Sequence, residues 1–81
     1  MQVIIYGRDH CASCDKTKLL CQMKSITFQY HNVGSDISVD ELRSKVGQRT
    51  TSLPQIFLAE GDTIRYVGGY DDLRSALQRM H

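Results

Sequence analysis

Val3-Ile4-Ile5-Tyr6-Gly7-Arg8-Asp9-His10-Cys11-Ala12-Ser13-Cys14 is the stretch on which the reading of this chain turns. A β-branched apolar run ends at Tyr6, and a loop from Gly7 to His10 follows. Two cysteines three apart then open a segment with helical character. Cys11 falls where the unpaired N–H groups of a helix start and the positive end of its dipole stabilise a thiolate. The thiolate is the nucleophile of thiol–disulfide exchange, so the placement is a mechanism as well as a pattern.

Outward from that stretch, residues 2–6 read as a buried strand and 12–24 as a helix. Leu19, Leu20 and Met23 give its later turns an apolar side, opposite Lys16, Lys18 and Lys24. Ile26, Phe28 and Tyr30 alternate with Thr27, Gln29 and His31, the pattern of a half-buried strand. Ser38-Val39-Asp40-Glu41 matches a capping box. Val39, Leu42 and Val46 then line one face, and Gly47 is a C-terminal stop. Residues 55–59 form a further β-rich run just after the only proline, Pro54. Glu60-Gly61-Asp62 is a hairpin turn and 63–67 the return strand. After Gly68-Gly69, residues 71–80 read as a last helix, with Leu73, Ala76, Leu77 and Met80 inward. The order β-α-β-α-β-β-α makes the first two strands parallel through a right-handed crossover and the last two an antiparallel hairpin. The expected product is an α/β fold, a mixed four-stranded sheet with helices on both faces: a minimal thioredoxin-like architecture.

With 81 residues the chain suffices for one small domain, spanning 1–81. A net charge of +1 advertises neither a nucleic-acid nor a membrane partner. The longest apolar runs fall far short of a membrane span, and no secretory signal is read at the start. Three cysteines do not make the framework of a stapled secreted domain. Together these point to a reducing cytosol.

Three motifs match one family in order: Tyr6-Gly7-Arg8-x-x-Cys11-x-x-Cys14, Ser52-Leu53-Pro54-Gln55-Ile56-Phe57 and Gly68-Gly69-Tyr70-Asp71-Asp72. Over nearly its whole length the chain resembles the glutaredoxins, specifically the small dithiol bacterial and phage type. It departs from them inside the first motif. The usual inner pair is proline then tyrosine, and here it is Ala12-Ser13. Ser13 thus stands where the family has a tyrosine that shields the active site and touches glutathione. Ala12 removes a rigidifier of the loop-to-helix turn.

The residues themselves assign Cys11 as nucleophile. Helix dipole, N–H donors and nearby Arg8 all lower its pKa, into the roughly 3.5–7.5 range of such sites. Cys14, inside the first turn, is the resolving thiol that attacks the mixed disulfide. Cys21 is about 10.5 Å beyond Cys14 along a helix, past the roughly 7 Å limit for a disulfide, and reads as a core residue. Pro54 is either a strand-initiating proline or, as the resemblance implies, a cis-proline facing Cys11. A cis Leu53–Pro54 bond would offer the Leu53 backbone to an extended peptide. Asp71 and Asp72 read as helix caps.

The resemblance further implies glutathione binding by Arg8, Ser13, Lys45, Ser52, Leu53, Pro54, Gly69, Tyr70, Asp71 and Asp72. The γ-glutamyl end would lie at the last helix, its ammonium on an Asp. Arg8 and Lys45, or Arg43 or Arg49 in place of Lys45, would take the glycine carboxylate. His10 reads as an exposed loop residue, Tyr6 as packing, and His31 and His81 carry no motif. One CxxC with scattered His10 and Cys21 lacks the second ligand pair of a zinc site.

The leading expectation is therefore a monomeric, cytoplasmic, glutathione-dependent disulfide oxidoreductase without a tightly bound cofactor. It would act on protein disulfides and glutathionylated proteins, with ribonucleotide reductase as a protein substrate by analogy. Two alternatives stand beside it. One is a hydrogen donor recharged by thioredoxin reductase, which the Gly68–Asp72 segment disfavours. The other is an iron–sulfur carrier using Cys11 from two chains, which Ala12 and Ser13 motivate and Cys14 opposes.

Overall fold

The opening apolar run becomes strand β1 (Gln2–Gly7), followed by α1 (Ala12–Met23), β2 (Phe28–Asn32), α2 (Val39–Val46), β3 (Gln55–Glu60), β4 (Thr63–Gly68) and α3 (Tyr70–Arg79). The computed structural model describes residues 1–47 and 52–79. Met80, expected inward on the last helix, and Arg49 and His81 lie outside them. The sheet order is β2-β1-β3-β4. β1 runs parallel to β2, while β1 with β3 and β3 with β4 are antiparallel. This is the expected thioredoxin-like arrangement, element for element.

Period-two alternation divides the sheet into two faces. Val3, Ile5, Ile56 and Leu58 join Cys21, Leu73 and Leu77 in one buried cluster, so α1 and α3 cover that face. The cross-strand pairs Ile4–Phe57 and Phe57–Tyr66 belong to the other. There Lys45 of α2 shares a shallow cavity with Ile4, Tyr6, Phe57 and Ile64, which puts α2 over it. Tyr6 packs as expected: it stacks on His31 at 5.2 Å between centroids and meets Phe57 edge-on at 5.7 Å.

The caps follow the sequence signals. Ser38 Oγ accepts from the Glu41 N–H at 3.1 Å and meets Glu41 Oε1 at 3.2 Å, and Gly47 closes α2 with a φ of 75°. β2 begins at Phe28 rather than Ile26, because the Ile26 N–H bonds the Cys21 carbonyl at 2.9 Å and finishes the turn out of α1. The inward side of α1 is corrected more substantially. Its buried residues are Cys14, Thr17 and Cys21, spaced i, i+3, i+7, while Leu19 and Met23 are 54% and 75% exposed. Thr17 tolerates full burial because its hydroxyl donates to the Ser13 carbonyl one turn back, at 2.8 Å.

Candidate active site

Gly7 ends β1, and the chain reaches α1 through Arg8, Asp9 and His10, all exposed. His10 has a φ of +59°, one of two non-glycine residues in the left-handed region among the described residues. Cys11 follows as the N-cap of α1, in extended conformation and half-buried. Its Sγ accepts from the Cys14 N–H at 3.2 Å, so the sulfur itself satisfies a donor of the first turn. The same N–H and the helix dipole would stabilise a Cys11 thiolate. A disulfide joins Cys11 to Cys14, with Cα atoms 5.2 Å apart, and Cys14 is fully buried. Cys21 is a free, buried thiol, and burial pushes its pKa up, keeping it protonated and unreactive.

The second wall of the site is 42 residues away in sequence. Cys11 Sγ lies 4.0 Å from the Leu53 carbonyl oxygen, just before a cis Leu53–Pro54 bond. The buried Gln55 braces this turn. Its side-chain amide donates to the Ser52 carbonyl at 2.6 Å and its Oε1 accepts from the Tyr66 hydroxyl at 2.5 Å. Burial, reinforced by the charge of Asp72, raises the Tyr66 pKa, so the hydroxyl keeps its proton.

The third wall is the start of α3. Asp72 reaches back to accept from the Gly69 N–H at 2.9 Å, the N3-to-N-cap half of a capping box. This occupies one of the two aspartates and leaves the exposed Asp71 without a hydrogen-bond or ion-pair partner among the described residues. Gly68 has a φ of +126°, and its missing side chain makes room for the Asp72 carboxylate.

Between these walls lies a groove of about 730 Å³. Of the residues expected to bind glutathione, it brings together Ser13, Ser52, Leu53, Pro54, Gly69, Tyr70, Asp71 and Asp72. Arg8 and Lys45 are not among its lining residues: Arg8 is exposed in the β1–α1 loop, and Lys45 lines the cavity under α2. The cations in the groove are Lys16 and Arg74, which the sequence reading missed. Their signal was available in spacing, since each stands one turn past a motif residue, Ser13 and Asp71, on a helix start that faces the groove. As for metals, no three His, Cys, Asp or Glu side chains converge among the described residues.

A family model described as Glutaredoxin matches residues 3–64. The glutaredoxin of Pseudomonas aeruginosa is 37% identical over an 82-residue alignment that covers 95% of this chain and 84% of that protein. The structure of reduced Escherichia coli glutaredoxin is similar with a TM-score of 0.73 and 27% identity, over 98% of this chain and 95% of that one. A buckwheat glutaredoxin crystallised as a complex with glutathione shares the fold, with a TM-score of 0.73 at 21% identity, over 96% of this chain and 69% of that one.

Proposed function

Since this chain belongs to the glutaredoxin family and is a thiol–disulfide oxidoreductase, we propose that its reductant is glutathione, held in the groove beside Cys11. The observation that carries this reading is the match between the groove's charges and those of the tripeptide. Glutathione has two carboxylates and one ammonium. The groove offers the exposed carboxylate of Asp71, the first N–H groups of α3, and the cations Lys16 and Arg74. Its volume of about 730 Å³ lies within the usual roughly 300–1,000 Å³ of small-molecule sites. Ser13, small and exposed, leaves the mouth open where a tyrosine would narrow it.

In the proposed cycle the Cys11 thiolate attacks one sulfur of a substrate disulfide and expels the other as a thiolate. Cys14 then attacks the Cys11 sulfur, releases the second substrate thiol, and closes the Cys11–Cys14 disulfide. One glutathione thiolate opens that disulfide at Cys11 and frees Cys14; a second attacks the glutathione sulfur of the mixed disulfide and expels the Cys11 thiolate, leaving oxidised glutathione and the dithiol. The Leu53 backbone beside Cys11 supports pairing with an extended substrate segment. A glutathione-driven reductant belongs in a compartment with a reducing thiol pool, which favours the cytoplasm. Disulfide or glutathionylated proteins are the substrates, ribonucleotide reductase among them by analogy with the family, and the chain works as a monomer.

The test is coupled reduction of a small mixed disulfide, followed by NADPH loss, with glutathione and glutathione reductase in one arm and thioredoxin reductase in the other. Turnover confined to the glutathione arm is the expected result. Turnover confined to the thioredoxin reductase arm would overturn the choice of reductant. Silence in both would favour the iron–sulfur carrier.

A further inference from the structure

Behind the disulfide, on the side away from the groove, Tyr30 of β2 reaches the same point as the buried Cys14. Gly7 separates them. A Cβ placed on Gly7 would lie 2.5 Å from the Tyr30 hydroxyl oxygen and 2.7 Å from Cys14 Sγ. Both atoms lie over Gly7, on the sheet face that carries Val3 and Ile5, and no side chain fits there between the hydroxyl and the sulfur. The Tyr30 ring is fixed on its other side by the Lys18 ammonium, 4.4 Å from its centroid. Lys18 is itself held by Asp15 at 3.6 Å. The hydroxyl donates to the Arg8 carbonyl at 3.2 Å, longer than the roughly 2.7–2.8 Å of a strong O–H···O bond. It is therefore a bond easily exchanged for a better acceptor.

We propose that, once the disulfide is reduced, the Tyr30 hydroxyl turns from the Arg8 carbonyl to the Cys14 sulfur and donates a hydrogen bond to its thiolate. Tyr30 thereby sets the acidity of the resolving thiol. This rests on the reading of Cys14 as the resolver. A buried thiolate needs such a partner, because desolvation alone drives its pKa up. Cys11, at the N-cap, has the first-turn N–H and the helix dipole; Cys14, enclosed, has neither to itself.

The other groups around that sulfur do not replace the donor. Cys11 is its reaction partner, and Gly7 of β1 brings no side chain to it. Asp9 and Asp15 act on the Tyr30 hydroxyl as negative charges. Burial, then Asp15 and Asp9, raises the Tyr30 pKa, so the group stays protonated and available as a donor. Arg8 and His10 are exposed, and Lys18 is engaged with Asp15 and the ring.

The direct experiment isolates the second step. Reduced protein mixed with oxidised glutathione forms the Cys11–glutathione disulfide; Cys14 then attacks the Cys11 sulfur and expels glutathione as a thiolate. Release is followed by rapid mixing against pH, for the wild type and Tyr30→Phe, which keeps the ring and its contact with Lys18. Loss of a hydrogen bond to an anion makes the thiol about tenfold weaker an acid. A weaker acid is a better nucleophile once ionised, with a Brønsted slope of roughly 0.4–0.5, so release slows about threefold below the thiol pKa. The pH midpoint moves to alkaline values. The first step, measured with and without Tyr30→Phe in a Cys14→Ser background, is expected to be unchanged. An unchanged rate and pH profile of release would overturn the assignment. Equal slowing of both steps would also overturn it, making Tyr30 a folding residue. A mixed disulfide that persists in the wild type would remove the resolving role of Cys14, and this assignment with it.

Discussion

Replacing Gly68 by alanine tests how the third wall of the site is held. Gly68 ends β4 with a φ of +126°, and a methyl there would stand 2.9 Å from Cγ and 3.1 Å from Cβ of Asp72, closer still to the carboxylate oxygen. Two costs follow. An alanine held at that φ costs about 1–3 kcal/mol. Pushing the Asp72 carboxylate off the Gly69 N–H removes a helix cap, worth about 0.5–2 kcal/mol. Together they amount to about 1.5–5 kcal/mol, and at about 4–8 °C per kcal/mol for a domain this size the melting temperature falls by at least about 6 °C. Thermal and urea unfolding followed by circular dichroism measure it. Asp72→Ala alone removes the cap without the strain and is expected to cost about 1 kcal/mol. In the double variant the collision is gone, so its loss is smaller than the sum of the two. Strict additivity, or a Gly68→Ala loss under about 0.5 kcal/mol, within the range of neutral surface changes, would refute the argument.

Three further outcomes are expected. Cys11→Ser abolishes turnover, whereas Cys14→Ser spares glutathione-driven deglutathionylation and impairs dithiol reduction of protein disulfides; equal activity of wild type and Cys11→Ser would end the proposed cycle. Lys16→Ala and Arg74→Ala each raise the KM for glutathione by roughly 1.4- to 5-fold, the worth of one exposed charge contact of about 0.2–1 kcal/mol, while Lys45→Ala leaves it unchanged. Folding stability declines in alkali, because the folded chain binds the protons of Cys21, Tyr30 and Tyr66 more tightly than the unfolded one. That contribution is complete below the ordinary values, 9.0 for Cys21 and 10.0 for the tyrosines, and is lost as pH rises through the folded-state values. Urea midpoints that stay level from about pH 8 to pH 11 would contradict it.

The element order, the parallel crossover and the hairpin were legible because β1 carries an uninterrupted apolar run and the later strands are bounded by Pro54, Gly61 and Gly68. The face of α1 was not. Hydrophobicity pointed to Leu19, Leu20 and Met23, and of these Leu20 packs against the core, but the helix turns Cys14, Thr17 and Cys21 fully inward, and a threonine bonded to its own helix is as good a core residue as its shape allows. The motif residues of the groove were legible, and its cations were not. Arg8 is adjacent to the cysteines in sequence but leaves with the loop. Lys16 and Arg74 come together only because α1 and α3 lie side by side with both helix starts beside the same proline turn. Sequence spacing states which residues share a helix face; it does not state which faces of different helices converge.

The thiols and the carbonyl that faces them are separated by 42 residues of chain. At roughly 5–20 residues per second of synthesis, the cysteine pair leaves the ribosome about 2–8 s before Leu53. Strand β3, which fills the middle of the sheet between β1 and β4, is later still. During that interval a nascent chain carries the cysteine that the proposed cycle makes the nucleophile, without the Leu53 backbone that would lie beside it. Under the proposed cycle, reactivity is thus local and early, and selectivity is long-range and late.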